Sequence, residues 1–268
     1  MDNKLIRVLL VDDDEDDHLI TSDLLFEIGR THYKLDWAST YDEAMQIIAC
    51  NDHDICLIDY RLGQFSGLDL IKSALKSGFT APMILLTGQG DSEVDIEAMQ
   101  AGAADYLIKS QLDSASLERA IRYAIKHKQA EEAFRKSEEK YRNLVENISD
   151  GVVTCDLNEK ILFANKTACK ILGHTIDELV GMDMMDIVVE EDREKIIRET
   201  QKRKNKEHSK YELNMLRKDG QQRLIFVSST PLLDHEENVK GTIGIFTDIS
   251  DIKKAEREKI GGKLWLFL

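Results

Sequence analysis

Val8-Leu9-Leu10-Val11-Asp12-Asp13-Asp14 sets four apolar residues directly before three carboxylates, and Ile55-Cys56-Leu57-Ile58-Asp59 repeats the device with one. An unbroken apolar run of this length suits a strand buried on both faces. Strand-like runs of the same kind recur at Leu5–Val11, Lys34–Ala38, Ile55–Ile58, Met83–Leu86 and Asp105–Ile108. Between and after them lie helical patterns at about His18–Ile28, Tyr41–Cys50, Gly67–Lys76, Asp91–Ala101 and Ser114–Lys128. Strands alternating with helices predict an α/β unit, a five-stranded parallel sheet with helices wound on both faces. In such a sheet all strands end on one rim, and ligands bind there.

That rim is chemically loaded. Asp12 and Asp13 follow the first strand and Asp59 the third, so their carboxylates converge. Clustered like charges need a cation or raised pKa values, and hard oxygen ligands suit Mg²⁺. Thr87 follows Met83–Leu86, and Lys109 follows Tyr106-Leu107-Ile108. A carboxylate nucleophile, a metal, a hydroxyl and an ammonium at one rim fit phosphoryl transfer, which needs in-line positioning and neutralised charge. Asp14, Asp16 and Asp17 read as the first turn of a helix, where negative side chains complement the helix dipole.

Bulk properties exclude several classes. The chain has 268 residues, 42% hydrophobic, with two prolines and no low-complexity tract, so a joint between domains is expected to be structured. No apolar run nears the roughly 20 residues that span a bilayer, and the first residues lack a signal-peptide pattern; a cytoplasmic protein without membrane contact is expected. Cys50, Cys56, Cys155 and Cys169 form no Cys-x-x-Cys pair and read as free thiols. A net charge of −14 opposes nucleic-acid binding. The basic run Lys202-Arg203-Lys204-Asn205-Lys206 reads as a solvated loop.

The segments VLLVDDDEDD, DICLIDYRLGQFSGLDL, MILLTGQGD and AGAADYLIKS resemble those of response-regulator receiver domains, flavodoxin-like modules of two-component signalling. The resemblance covers residues 4–127. It implies that Asp59 is the phosphoacceptor and that Asp12 and Asp13, with Asp59 and the Arg61 backbone carbonyl, hold Mg²⁺. It also implies that Thr87 and Lys109 contact the phosphoryl group, and that Tyr106 is the aromatic switch. Two departures stand out. Ser110 follows Lys109 where the family carries proline, often cis, so the loop after Ile108 is expected to take a different path. Gly63 replaces another usual proline and is expected to loosen the segment after Asp59.

From Ser114 to Ile148 there is neither glycine nor proline, and apolar positions recur at helical spacing. The charged stretch Lys126–Lys140 suits an exposed connector or one arm of a dimeric coiled coil. After Asp150 come two strand-like runs, Gly151–Asp156 and Ile161–Ala164, around an Asn158-Glu159 turn. Helices follow near Lys166–Leu172, Ile176–Val180 and Glu190–Arg203, then strands at Ser209–Arg217, Gln222–Leu232 and Gly241–Asp248, an α+β order.

Phe163-Ala164-Asn165, Ile171-Leu172-Gly173, Glu178-Leu179-Val180-Gly181, Lys218-Asp219-Gly220 and Gly244-Ile245-Phe246-Thr247-Asp248-Ile249-Ser250 resemble a PAS domain from about Ser137 to Ala255. Such a domain has a five-stranded antiparallel sheet with flanking helices. Asp248-Ile249-Ser250 resembles the motif that couples the sheet to the next helix; its plain reading is a helix N-cap. No PAS ligand can be named. His174 reads as a surface residue, Cys155 and Cys169 lack the surroundings of a flavin-adduct cysteine, and the pocket is expected to be empty or filled by apolar side chains.

The expected organisation is a receiver domain at 1–127, a helical connector at 128–148, a PAS domain at 149–252, and a C-terminal helix with an apolar tail at 253–268. The expected function is a response regulator phosphorylated on Asp59 by a partner histidine kinase and signalling by protein–protein contact, with a homodimer through the connector or PAS domain as a candidate. Neither a DNA-binding nor a kinase output domain is expected, nor enzymatic turnover beyond self-catalysed transfer and dephosphorylation. Two alternatives remain open: a Mg²⁺-dependent aspartyl phosphatase, and a PAS ligand sensor with a vestigial receiver.

Overall fold

The computed structural model describes residues 5–29, 31–88 and 92–264. The chain divides into two compact units, Met1–Lys136 and Ser137–Leu268. The first is built from β1 (Ile6–Val11), α1 (Glu15–Glu27), β2 (Tyr33–Ala38), α2 (Tyr41–Cys50), β3 (Ile55–Asp59), the short antiparallel pair β4 (Arg61–Leu62) and β5 (Phe65–Ser66), α3 (Gly67–Lys76), β6 (Met83–Thr87), α4 (Ser92–Ala101), β7 (Asp105–Ile108) and the start of α5 (Ser114–Asn147).

The main sheet has the parallel order β2-β1-β3-β6-β7, as the alternation predicts. Period-two alternation of side chains explains why these strands are apolar throughout. Leu9, Val11, Cys56, Ile58 and Leu85 join residues of α2, α3 and α4 in one buried cluster. Their neighbours Val8, Leu10, Ile55, Leu57, Ile84 and Leu86 join Leu25 of α1 and Leu117, Ile121 and Ala124 of α5 in another.

Caps set the helix starts. Asp14 accepts from Asp16 N–H (2.8 Å), so α1 begins at Glu15, three residues before the expected His18. The cap and the acidic first turn supply the missing apolar signal. Thr40 and Ser66 cap α2 and α3 in the same way.

The second unit contains the end of α5, then β8 (Gly151–Cys155), β9 (Ile161–Ala164), α6 (Lys166–Leu172), α7 (Ile176–Leu179), α8 (Glu190–Lys204), β10 (Ser209–Leu216), β11 (Gln222–Leu233), β12 (Val239–Asp248) and α9 (Ser250–Leu264). Its sheet is antiparallel throughout, in the order β10-β11-β12-β8-β9. The inner face packs Val153, Ile161, Leu213, Ile225, Val227 and Phe246 against Leu172, Leu179 and Ile196 of the helices. Asn165, wholly buried, accepts from Val152 and Ala168 N–H through Oδ1 and donates to the Val145 and Asp150 carbonyls. It therefore caps α6 and ties the end of α5 to β8. Of the apolar tail, residues 265–268 lie outside the described residues.

Candidate functional site

Register brings the site together. Val11 of β1 lies beside Ile58 of β3, so Asp12 follows β1 where Asp59 ends β3. Asp59 pairs with Leu86, and Thr87 with Ile108, so the hydroxyl and the ammonium of Lys109 arrive on the next two strands. Asp59 and Thr87 are the last residues of their strands rather than the first of the loops, and both are buried.

Lys109 Nζ is the centre of this rim. It lies 2.8 Å from Asp12, 2.6 Å from Asp17 and 2.6 Å from Asp59. Asp17, expected only as a first-turn residue, is thus drawn into the cluster: it lies on α1 one turn beyond the capping residue, on the face turned to the sheet rim. Burial alone would depress the lysine, but its hydrogen bonds to Asp12, Asp17 and Asp59 outweigh that and hold its pKa above the ordinary value. Burial pushes Asp12 upward, and the Lys109 and Asp14 N–H contacts offset this only in part.

The carboxylates are oriented by backbone donors. Asp14 N–H donates to Asp12 Oδ1 (3.1 Å), Arg61 N–H to Asp59 Oδ2 (2.8 Å) and Gly63 N–H to Asp13 Oδ2 (3.0 Å). Gly63 has φ of +59°, which the fixed ring of proline forbids, and proline has no N–H to give. The Gly63 N–H ties the segment to Asp13, a contact that proline could not make. Trp37 Nε1 donates to the Asp12 carbonyl (2.8 Å). A Cβ on Gly67 would collide with the Asp59 carbonyl, so a side chain there is sterically barred. Lys109-Ser110-Gln111 form one 3₁₀ turn. Tyr106 is half-buried against the core cluster that contains Leu85 and Met83.

Oxygens of Asp12, Asp13 and Asp59 all lie within 4.8 Å of one another. Three carboxylates on one ammonium, with Asp13 beside Asp12 and Asp59, leave excess negative charge, and an all-oxygen donor set fits a hard divalent ion such as Mg²⁺.

The second unit holds a cavity of about 50 Å³ behind its sheet, lined by Val153, Cys155, Met184, Leu213, Val227 and Phe246 with Glu159, Arg203 and Tyr211. The sequence leads one to expect a pocket empty or filled by apolar side chains; its lining also carries the polar Glu159, Arg203 and Tyr211. Arg203 is 2% exposed and donates to Glu159 (2.7 Å), Thr200 (2.7 Å), Thr242 (3.1 Å), Ser229 (3.3 Å) and Tyr211 (3.4 Å). The expected solvated loop is corrected here: α8 continues to Lys204, and the spacing Ile196, Thr200, Arg203 turns Arg203 inward while Lys202, Lys204 and Lys206 stay exposed. At the sheet's end, Ile249 N–H donates to the Leu224 carbonyl, Leu224 N–H to Ser250 Oγ and Ser250 N–H to Asp248 Oδ1 (each 2.9 Å). His174 Nδ1 lies 3.7 Å from Glu178.

Family comparisons agree with this geometry. The family described as response regulator receiver domain matches residues 8–122, and that described as PAS domain matches residues 149–251. By these matches a response regulator receiver domain at residues 8–122 is followed by a PAS domain at residues 149–251. It is 33% identical over 95 residues to the two-component response regulator PhoP of Pseudomonas aeruginosa, covering 35% of this chain and 42% of that one. It is 33% identical over 129 residues to the response regulator protein PilR of the same organism, covering 47% and 28%. The chain thus spans less than half the length of either curated relative. A solved receiver domain from Clostridium thermocellum is 31% identical, with 47% and 98% covered and a TM-score of 0.41. A PAS domain from Colwellia psychrerythraea is 24% identical, with 42% and 97% covered and a TM-score of 0.40. No helix among the described residues is long and apolar enough to cross a membrane.

Proposed function

We propose that this chain is a response regulator that accepts a phosphoryl group on Asp59 from a histidine kinase. The observation that carries the reading is the convergence of Asp12, Asp17 and Asp59 on Lys109 Nζ, all within 2.8 Å. An Asp59 carboxylate oxygen attacks the phosphorus of a phosphohistidine. The new P–O bond forms as the P–N bond breaks, and the imidazole leaves with the electron pair. Lys109 then exchanges a carboxylate contact for a phosphoryl oxygen, and the Thr87 hydroxyl donates to another. Asp12, Asp13, Asp59 and the Arg61 carbonyl would hold Mg²⁺, which when bound neutralises charge on the transferred oxygens.

Residues 1–127 serve as the receiver, 128–148 as connector and 149–252 as the PAS domain, with the helix that follows coupled to the sheet through Asp248-Ile249-Ser250. Tyr106 reports the movement of Thr87, and the change passes along α5 to a protein partner rather than into enzymatic turnover. Incubation with acetyl phosphate and Mg²⁺, followed by intact-mass measurement, tests this. One added phosphoryl group on the wild type, none on Asp59→Asn, supports it. Multiple turnover of the donor with no covalent adduct would favour a phosphatase instead.

A further inference from the structure

Beyond Ala124 nothing in α5 is buried, although the helix runs on to Asn147. Ile125 packs on the core of the first unit and the Val145 carbonyl accepts from Asn165, but the helix between them has no buried residue, and such a stretch is marginal alone because most helical stability in proteins comes from packing. Its exposed large apolar residues nonetheless fall on one line, with smaller or polar residues between them. Tyr123, His127, Ala130, Phe134, Ser137, Tyr141 and Leu144 follow at intervals of four and three throughout. Tyr123 is 67% exposed, Phe134 73%, Tyr141 66% and Leu144 56%.

These intervals define a heptad seam, with His127, Phe134 and Tyr141 at the first core position and Tyr123, Ala130, Ser137 and Leu144 at the second. The outward positions carry Lys128, Gln129, Glu132, Arg135, Lys136, Glu139, Arg142 and Asn143, all polar, and Ile125, which packs on the core of the first unit. Bulky Phe134 sits between small Ala130 and Ser137, which leaves room for a partner's aromatic ring.

The residues flanking the seam choose the partner. Lys126 and Lys140 stand on one flank, Glu131 and Glu138 on the other. In an antiparallel pair each flank meets itself, so lysine faces lysine and glutamate faces glutamate. In a parallel pair the flanks cross, and Lys126 meets Glu131 of a second copy. Within one chain Glu131 pairs with half-buried Lys128 at 3.3 Å, and Glu138 with Arg142 at 2.8 Å, contacts that surface side chains exchange readily.

We propose that α5 pairs with α5 of a second copy of this chain as a parallel, in-register coiled coil along the Tyr123–Leu144 seam. The seam spans only about three heptads with two small residues, so the dimer forms reversibly with concentration.

Sedimentation velocity on the full chain tests this, together with disulfide trapping of Ser137→Cys in a Cys50→Ser background. The expected results are a concentration-dependent dimer, at least tenfold weakened by Phe134→Glu, and rapid cross-linking of Ser137→Cys but not of outward Lys136→Cys. Lys126→Glu or Glu131→Lys alone should weaken the dimer, and the two together should restore it. Because Phe134 is exposed, its replacement leaves each chain folded, which circular dichroism checks. A monomer at every concentration overturns the proposal. So does a dimer indifferent to Phe134→Glu, which would place the interface elsewhere, and so does cross-linking through Lys136→Cys alone.

Discussion

Replacing Arg203 by methionine keeps an aliphatic stem in the core of the second unit and removes five hydrogen bonds, to Glu159, Thr200, Thr242, Ser229 and Tyr211. Glu159, only 8% exposed, then keeps its charge with the Thr200 hydroxyl but no cation beside it. Leaving one member of a buried ion pair uncompensated costs about 3–5 kcal/mol. In a unit of this size each kcal/mol is worth roughly 4 °C, so the transition should fall by about 12–20 °C. The double variant Arg203→Met/Glu159→Leu removes both charges and should recover most of that loss, because an apolar pair avoids the desolvation of the ions. Calorimetry of the single and double variants reads both quantities. A loss below about 1 kcal/mol for Arg203→Met, or a double variant as unstable as the sum of the singles, would refute the reasoning.

Three other outcomes bear on the same account. Gly67→Ala forces a methyl group against the Asp59 carbonyl and should cost about 1–3 kcal/mol while slowing acetyl-phosphate labelling, which urea melts and a labelling time course measure. Gly63→Pro loses the N–H that holds Asp13 and cannot keep φ at +59°, so calorimetric Mg²⁺ affinity should drop about fivefold to tenfold, whereas Gly63→Ala keeps the N–H, meets no neighbouring atom and should cost only about 1–2 kcal/mol of stability. Burial pushes the Cys155 thiol up to about 12, and Cys56 upward too, while Cys50 is exposed. At pH 8 iodoacetamide should therefore take Cys50 and spare Cys56 and Cys155 in the folded chain; and because the folded state keeps protons the unfolded state releases, stability should fall above pH 9 by about 1.4 kcal/mol per pH unit for each buried thiol.

Much of the fold could be read from the chain because its signals are local. The buried strands β1, β3 and β6 are continuous apolar runs, and turn residues separate them. The rim also followed, since a parallel sheet sends every strand end to one side, and Asp12, Asp59, Thr87 and Lys109 all stand at strand ends. What local pattern hides is a charged residue whose partner is distant in sequence. Asp17 meets Lys109 across 92 residues, and Arg203 meets Glu159 across 44. In sequence both resemble ordinary solvated charges of a helix end. The Gly63 contact is hidden for a similar reason: its backbone donor to Asp13 depends on a fold that brings position 63 back to position 13.

Locating the atom that carries the phosphoryl group tests the assignment of Asp59 as phosphoacceptor. Phosphorylated chain would be reduced with borohydride, which converts an aspartyl phosphate to homoserine, and the digest mapped by mass spectrometry. Conversion is expected at Asp59, dependent on Mg²⁺ and absent in Asp59→Asn. Conversion at Asp12 or Asp13 instead, or label found on a histidine and none at Asp59, would contradict it.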